Sequence, residues 1–337
     1  MKYLITGGAG YIGSTICSAL EDHGHTPIIL DSLVTGRVEF TRGRIFYHAD
    51  IADREALQTI FQEHPDIQAA VHCAALIVVP ESTEQPYEYY RENVGKSLEL
   101  FHNLNQLGCK RLVFSSSAAI YDLVPGFMVT EDSAVHPTSP YGRTKFMMEM
   151  VLRDFCVSYG MQGIALRYFN PIGADPKLRS GIHVPKPSHV LGKLVDTAIG
   201  KQPEFVITGV DWPTRDGTGI RDYIHVWDLA LAHIKAVTSF DEVFARANNP
   251  EDNYLVINLG TGNGVTVREI LDAFQKVYGK QIPVREAPPR PGDIAGSYAN
   301  ADRAGQLLGW EAGRPIEQGI SDALRWADKR LEILGYA

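Results

Sequence analysis

Tyr141 and Lys145 stand four residues apart in Tyr141-Gly142-Arg143-Thr144-Lys145. On a helix that spacing places a phenol and an ammonium on one face. A positive charge beside a phenol favours tyrosinate and lowers its pKa from about 10. A tyrosine tuned this way can take or return a proton near neutral pH. Ser117 closes an apolar run 24 residues before Tyr141. Its hydroxyl could bond a substrate oxygen or relay that proton. Separately, these residues also fit a surface pair and a turn serine; with the glycine loop upstream they form a proton-transfer set.

That loop is Gly7, Gly10 and Gly13, spaced by three after the apolar run Tyr3 to Ile5. Ile12, Ile16, Ala19 and Leu20 then share one helix face. Strand, glycine turn and helix is the context in which a pyrophosphate meets free N–H groups and a positive dipole end. Asp31 ends the next apolar run, 18 residues past Gly13, where a carboxylate can accept bonds from an adenosine ribose. Ser32 follows it instead of a base, which favours NAD over NADP; Arg37 is the nearby base that points the other way.

The elements that must position these groups alternate. Strand patterns at Ile45–Ala49, Ala69–Cys73, Arg111–Phe114 and Ile164–Tyr168 are separated by helical patterns from about Asp53, Pro86 to Leu107 and Tyr141 to Tyr159. The expectation is an α/β fold, a doubly wound parallel-sheet Rossmann domain over residues 1–170. Strands near 222–226 and 254–258 are expected to return to its sheet. Residues 171–337, richer at first in Gly and Pro, are expected to form a smaller, interleaved mixed α/β substrate domain. Thr6-Gly7, Asp31, Asp50, Ala74-Ala75, Ser115 to Ser117 and Asn170 all fall at strand ends, the edge where such sheets bind ligands.

Composition excludes several classes. The 337 residues carry a formal charge of −8, with no basic footprint for nucleic acid. No apolar run approaches the roughly 18 residues of a membrane span. The chain starts on a strand, so no signal peptide is expected. Cys17, Cys73, Cys109 and Cys156 are scattered and lack zinc spacing. Free thiols, no metal and a cytoplasmic location are the expectations.

Thr6-Gly7-Gly8-Ala9-Gly10-Tyr11-Ile12-Gly13, Asp31, Asp50-Ile51, Asn93, Ser117, Tyr141 and Lys145 together resemble the extended short-chain dehydrogenase/reductase family. Leu166-Arg167-Tyr168-Phe169-Asn170-Pro171-Ile172-Gly173-Ala174, Asp216 to Val226 and Pro289-Arg290-Pro291-Gly292-Asp293 are similar to its UDP-galactose (UDP-glucose) 4-epimerase branch. The resemblance implies NAD as cofactor and a UDP-sugar as substrate. It implies catalysis by Ser117, Tyr141 and Lys145, with a hydride leaving C4 and returning on the other face. It implies NAD contacts at Gly7, Gly10, Tyr11, Ile12, Gly13, Asp31, Ser32, Thr35 and Gly36. Further NAD contacts are implied at Asp50, Ile51, Cys73, Ala74, Ala75, Asn93, Tyr141, Lys145 and Tyr168. Arg221 and Arg290 would hold the diphosphate, which suits a planar bidentate cation. Asn170, His189, Val190, Tyr223, Asp293 and Ser297 complete the implied substrate site, with Ser117 and Tyr141.

The chain departs from that pattern in places. Ile77 stands where relatives carry a lysine on the cofactor, Asp122 replaces a common glycine, and Ser188-His189-Val190 replaces Asn-Asn-Leu. Ser297 stands where a tyrosine restricts some relatives to unsubstituted hexoses, so 2-acetamido sugars are also expected as substrates. Dehydratases of this fold place an Asp-Glu pair where Ala118 and Ala119 stand, so chemistry at C5 is not expected. A 4-epimerase of UDP-pentoses or UDP-hexuronates remains an alternative, as does a non-enzymatic NAD-sensing protein, though such proteins lose the Tyr/Lys pair. The apolar run Phe146 to Leu152 exceeds what one packed helix face needs, and relatives pair such helices, which implies a homodimer.

Overall fold

A computed structural model describes residues 1–249, 252–290 and 293–336; Pro291 and Gly292 of the sequence motif lie outside the described residues. Seven parallel strands form the main sheet, in the spatial order 254–259, 162–168, 111–115, 67–72, 2–6, 26–31 and 45–48. Tyr3 and Ile5 point into one core cluster and Leu4 into the other. Val71 and Ala70 divide in the same way, as do Val113 and Leu112. This period of two, with both faces apolar, is the signature of a parallel sheet covered on both sides.

Ile16 and Leu20 of the Tyr11–Asp22 helix and Leu229 and Ala230 of the Val226–Thr238 helix cover one face. Leu57 and Ile60 of Arg54–Glu63, Leu100 and Leu104 of Lys96–Gln106, and Met148 and Leu152 of Pro140–Tyr159 cover the other. Each of these Leu, Ile and Met side chains stabilises the fold by about 1.5–3 kcal/mol when buried. Asp53 caps the Arg54–Glu63 helix by accepting from Ala56 N at 3.0 Å. Ser139 caps Pro140–Tyr159 through Gly142 N at 3.1 Å, with Pro140 in the first turn.

The strand expected at 222–226 does not return to this sheet. Tyr223–His225 instead pairs in parallel with Asn170–Ile172, a separate two-stranded ladder. Tyr254–Leu259 does join, beside Gln162–Tyr168. The following helix, Val226–Thr238, gave no sequence signal because it is buried nearly all round and carries no polar stripe. The Pro86 to Leu107 pattern resolves into Pro86–Tyr90, a π-helical turn Arg91–Gly95, and Lys96–Gln106. A third core cluster joins Ile172, Leu194, Phe205, Ile270, Phe274 and Ile320 in the second half. Beside it a four-stranded sheet runs 265–266, 220–221, 296–299 and 128–129. No described helix is long and apolar enough to cross a membrane.

Candidate active site

The strand order reverses between 2–6 and 67–72, and the crevice at such a reversal is where open α/β sheets take ligands. Gly7 and Gly13 make that crevice. Gly7 has φ of +72°, and a Cβ there would lie 2.6 Å from Ala74 N. A Cβ on Gly13 would lie 2.2 Å from Gly7 O. Only glycine allows this turn and this approach. Gly10 caps the first helix without a side-chain acceptor, so the N–H groups at Tyr11, Ile12 and Gly13 stay available to a phosphate. Asp31 is buried; its Oδ2 accepts from Ala9 N at 2.9 Å and its Oδ1 from Leu33 N at 2.8 Å. Each oxygen retains a lone pair for a ribose hydroxyl. Burial raises the Asp31 pKa, opposed by those two backbone bonds. Gly36 backs directly onto this carboxylate. These residues fit a dinucleotide.

Tyr141, Lys145 and Ser117 are all buried, at the start of the Pro140–Tyr159 helix and the end of the Arg111–Ser115 strand. A Cβ on Gly142 would lie 2.5 Å from Ala119 O, so the helix start presses against the segment that carries Ser117. The expected charge effect on the phenol is not what the structure shows. Lys145 Nζ lies 6.0 Å from the Tyr141 ring centroid and donates to Ser115 O at 2.9 Å. Burial raises the Tyr141 pKa, and a bond with Ser117 works against that rise. Burial also lowers the Lys145 pKa to about 8.

Three consecutive serines are each tied by a different element. Ser115 Oγ bonds His233 Nε2 at 3.0 Å, while His233 Nδ1 meets Leu229 O at 2.8 Å. A carbonyl only accepts, so the proton is on Nδ1 and Ser115 donates to Nε2. Ser116 Oγ donates to Glu149 Oε1 at 2.5 Å, and Glu149 pairs bidentately with Arg167 at 2.9 and 2.6 Å. Ser117 Oγ accepts from Ala119 N at 3.2 Å. Tyr141, Lys145 and Glu149 follow at steps of four, so one helix face carries the candidate proton-transfer pair and also holds the serine strand. Cys73 Sγ lies 3.2 Å from Ser115 Oγ, with its thiol pKa pushed up to about 11 by burial. Tyr168 lies with its ring centroid 6.0 Å from that of His233.

A second cluster gathers on the smaller sheet. Arg221 Nη1 donates to Ile220 O and Ala295 O, both at 2.7 Å, and Nη2 to Ile294 O at 3.2 Å. It has no described carboxylate partner, and burial lowers its pKa. Gly296, at φ of +116°, makes way for it: a Cβ there would lie 1.8 Å from Arg221 Nη1. Ser297 is the register partner of Arg221. Tyr223 Oη is buried without a partner among the described residues. Arg290 and Asp293 pair with each other at 3.0 Å. His189 caps the Val190–Ala198 helix, its Nδ1 accepting from Gly192 N at 3.1 Å. A half-buried guanidinium without an acidic partner is a site for an anion.

Residues 3–252 match the NAD dependent epimerase/dehydratase family. The chain belongs to that family. A UDP-glucose 4-epimerase of Bacillus subtilis (strain 168) is 42% identical, covering 97% of this chain and 96% of the relative. A UDP-glucose 4-epimerase structure from Stenotrophomonas maltophila, with bound NAD and formylated UDP-arabinopyranose, superposes with TM-score 0.90 at 37% identity, covering 98% and 99% of the two chains. A UDP-Glc/GlcNAc 4-epimerase structure from Campylobacter jejuni superposes at TM-score 0.81 and 34% identity, covering 97% and 99%.

Against this family background, several expected cofactor residues have protein partners of their own. Asp50 Oδ2 bonds Lys96 Nζ at 2.6 Å and Oδ1 accepts from Ala52 N at 2.9 Å. Ile51 is buried in the core. Asn93 Oδ1 accepts from Leu76 N at 2.8 Å, and its Nδ2 donates to Leu76 O and Thr144 Oγ1. Asn93 thus pins the loop after Cys73, Ala74 and Ala75 to the Pro140–Tyr159 helix. Tyr11 Oη donates to Gly173 O at 2.7 Å. Ser32 O meets His48 Nε2 at 3.1 Å, and Thr35 O accepts from His183. Asn170 makes its ladder contacts through the backbone, pairing with Tyr223. Val190 opens its helix. Sequence reasoning missed Glu149, although its step of four from Lys145 was a readable signal. It also missed His233, whose contact with Ser115 spans 118 residues and leaves no local trace. Lys193, one turn after His189, has its pKa lowered by burial and by Arg290.

Proposed function

We propose that the protein is an NAD-dependent UDP-sugar 4-epimerase. It interconverts UDP-glucose with UDP-galactose, and UDP-N-acetylglucosamine with UDP-N-acetylgalactosamine. The observation that carries this reading is the buried Ser117–Tyr141–Lys145 group at the strand ends next to the glycine crevice. Its relatives' names support the same activity.

Bound NAD supplies the acceptor and donor of the C4 hydride. Tyr141 Oη takes the proton of the sugar 4-hydroxyl as the hydride leaves C4. Ser117 Oγ bonds that same oxygen. When the hydride returns on the opposite face, Tyr141 gives the proton back, so C4 is inverted with no net redox change. Lys145 has three N–H donors, of which Ser115 O takes one, leaving two for the nicotinamide ribose. Gly7, Gly10 and Gly13 cradle the pyrophosphate, and Asp31 takes the adenosine ribose.

Arg221 holds the diphosphate, flanked by Arg290. Asn170, Tyr223 and Asp293 bind the nucleotide sugar, with His189 and Val190 at the nearby helix start. Ser297, small and beside Arg221, leaves room for a 2-acetamido group. The decisive experiment incubates the protein, without added cofactor, with UDP-hexoses, their 2-acetamido forms, UDP-pentoses and UDP-hexuronates, and identifies products by NMR. Turnover of only pentose or uronate substrates would replace the hexose assignment, and no 4-epimer of any would end it.

Residues 1–170 with strand 254–259 make the dinucleotide-binding domain in this reading, and the rest of 171–337 the substrate domain. The enzyme is a homodimer. Exposed Leu98, Met147 and Met150 on two packed helices support this, and light scattering at twice the chain mass is the check. Four free cysteines support a cytoplasmic location.

A further inference from the structure

The loop that follows Asp31 is held from both halves of the chain. From its own half, Arg37 N donates to Ala9 O at 2.9 Å. From the other half, His183 Nε2 meets Thr35 O at 2.8 Å. A carbonyl only accepts, so the proton is on Nε2. The His183 ring is buried and stands edge-on to Phe40, with centroids 5.6 Å apart. Phe40 in turn meets Trp326 at 5.9 Å, and Trp326 Nε1 donates to Ile182 O at 2.7 Å.

The end of the chain closes this arrangement. The helix Ile316–Leu334 ends at Gly335 in the left-handed region, which turns the chain back. Tyr336 then donates its hydroxyl to His183 O at 2.5 Å. Its ring lies under the Arg37 guanidinium, 4.9 Å away. Tyr336 and His183 therefore touch both sides of residues 35–37. Those residues sit against Asp31 through Gly36, which has no space for a Cβ beside the Asp31 carboxylate.

Residues 35–37 thus lie against the carboxylate on which an adenosine ribose would sit. We propose that His183 and Tyr336 form a latch from the second half of the chain onto the adenosine-ribose loop, and that this latch sets how long NAD stays bound. It rests on the cofactor reading above and adds two positioning residues to it. The latch acts on release, where most differences in affinity between related complexes arise.

The test is a chase of bound NAD with excess isotope-labelled NAD, following exchange by mass spectrometry. UDP affinity, measured by calorimetry, reads the other end of the site. Tyr336→Phe removes one hydroxyl and is expected to speed release about fivefold. His183→Ala is expected to speed it more than about tenfold, while His183→Gln, which keeps an N–H donor, stays near the wild type. UDP affinity is expected to be unchanged in all three. Release at the wild-type rate in Tyr336→Phe would overturn the latch, even if His183→Ala failed to fold. Faster release accompanied by a parallel loss of UDP affinity would also overturn it, as general loosening. A wild-type protein that binds no NAD would overturn the cofactor reading itself, and the latch with it.

Discussion

Arg221 and Ser297 stand opposite one another as register partners on adjacent parallel strands, with Gly296 hollowed out under the guanidinium. In the proposed site, charge for a diphosphate and space for a sugar substituent would both be set on this ladder. Ser297→Tyr should eliminate turnover of the 2-acetamido sugars and keep that of UDP-glucose within about tenfold, because it adds bulk and removes no charge. Rates on both substrate pairs decide it; equal losses on the two would count against a gating role for position 297.

Arg221→Met should weaken UDP binding by about 10- to 150-fold, the range for losing charge-assisted hydrogen bonds. NAD binding should not change. Calorimetric titration with UDP is the measurement, and an unaltered affinity would remove Arg221 from the diphosphate site.

Tyr141→Phe should lower turnover by about 10²–10⁴-fold, the usual contribution of a positioned acid–base group, with UDP affinity retained. Burial raises the Tyr141 pKa, so the rate of C4 oxidation should rise with pH above neutrality. A flat profile of absorbance growth at about 340 nm would contradict a base at this position.

Ser116→Ala leaves Glu149 and Arg167 paired but removes the side-chain tether in the middle of the serine run. It should reduce kcat by about tenfold with KM unchanged. Glu149→Ala, by contrast, strands a buried guanidinium and should cost about 3–5 kcal/mol of stability. Denaturant unfolding of both variants separates positioning from folding. A Ser116→Ala enzyme with wild-type kcat would show that the serine strand needs no such tether.

Acid should destabilise the fold before carboxylates titrate. Burial lowers the pKa of His72 to about 3 and of His233 to about 4. The unfolded chain takes up these protons near pH 6.5, so the stability from keeping both rings neutral is full above that pH and declines below it. Each ring adds a slope of about 1.4 kcal/mol per pH unit. Urea midpoints at pH 7 and pH 5.5 test this; no difference between them would refute it.

The glycine crevice and the Tyr141–Lys145 pair were legible because each is a short spacing inside one element. The free cysteines, the capping Asp53 and all seven strands of the main sheet were legible for the same reason. Other features depend on partners far along the chain. Asp50 has its ion-pair partner, Lys96, 46 residues on, and nothing local to Asp50 announces it. The direction of the Tyr141 pKa could not be read either. The i,i+4 spacing gives proximity to an ammonium, but only the fold shows that the phenol is buried, which raises its pKa, and that Ser115 O holds the ammonium.

The sheet's outer strand has a consequence for how the protein is made. Strand 162–168 gains its outer neighbour only when residues 254–259 arrive. During synthesis the nascent chain must wait for those later residues, with an apolar parallel edge exposed meanwhile. A gene fragment ending near residue 170 would leave that edge open permanently, and should yield inclusion bodies instead of a free-standing nucleotide-binding unit.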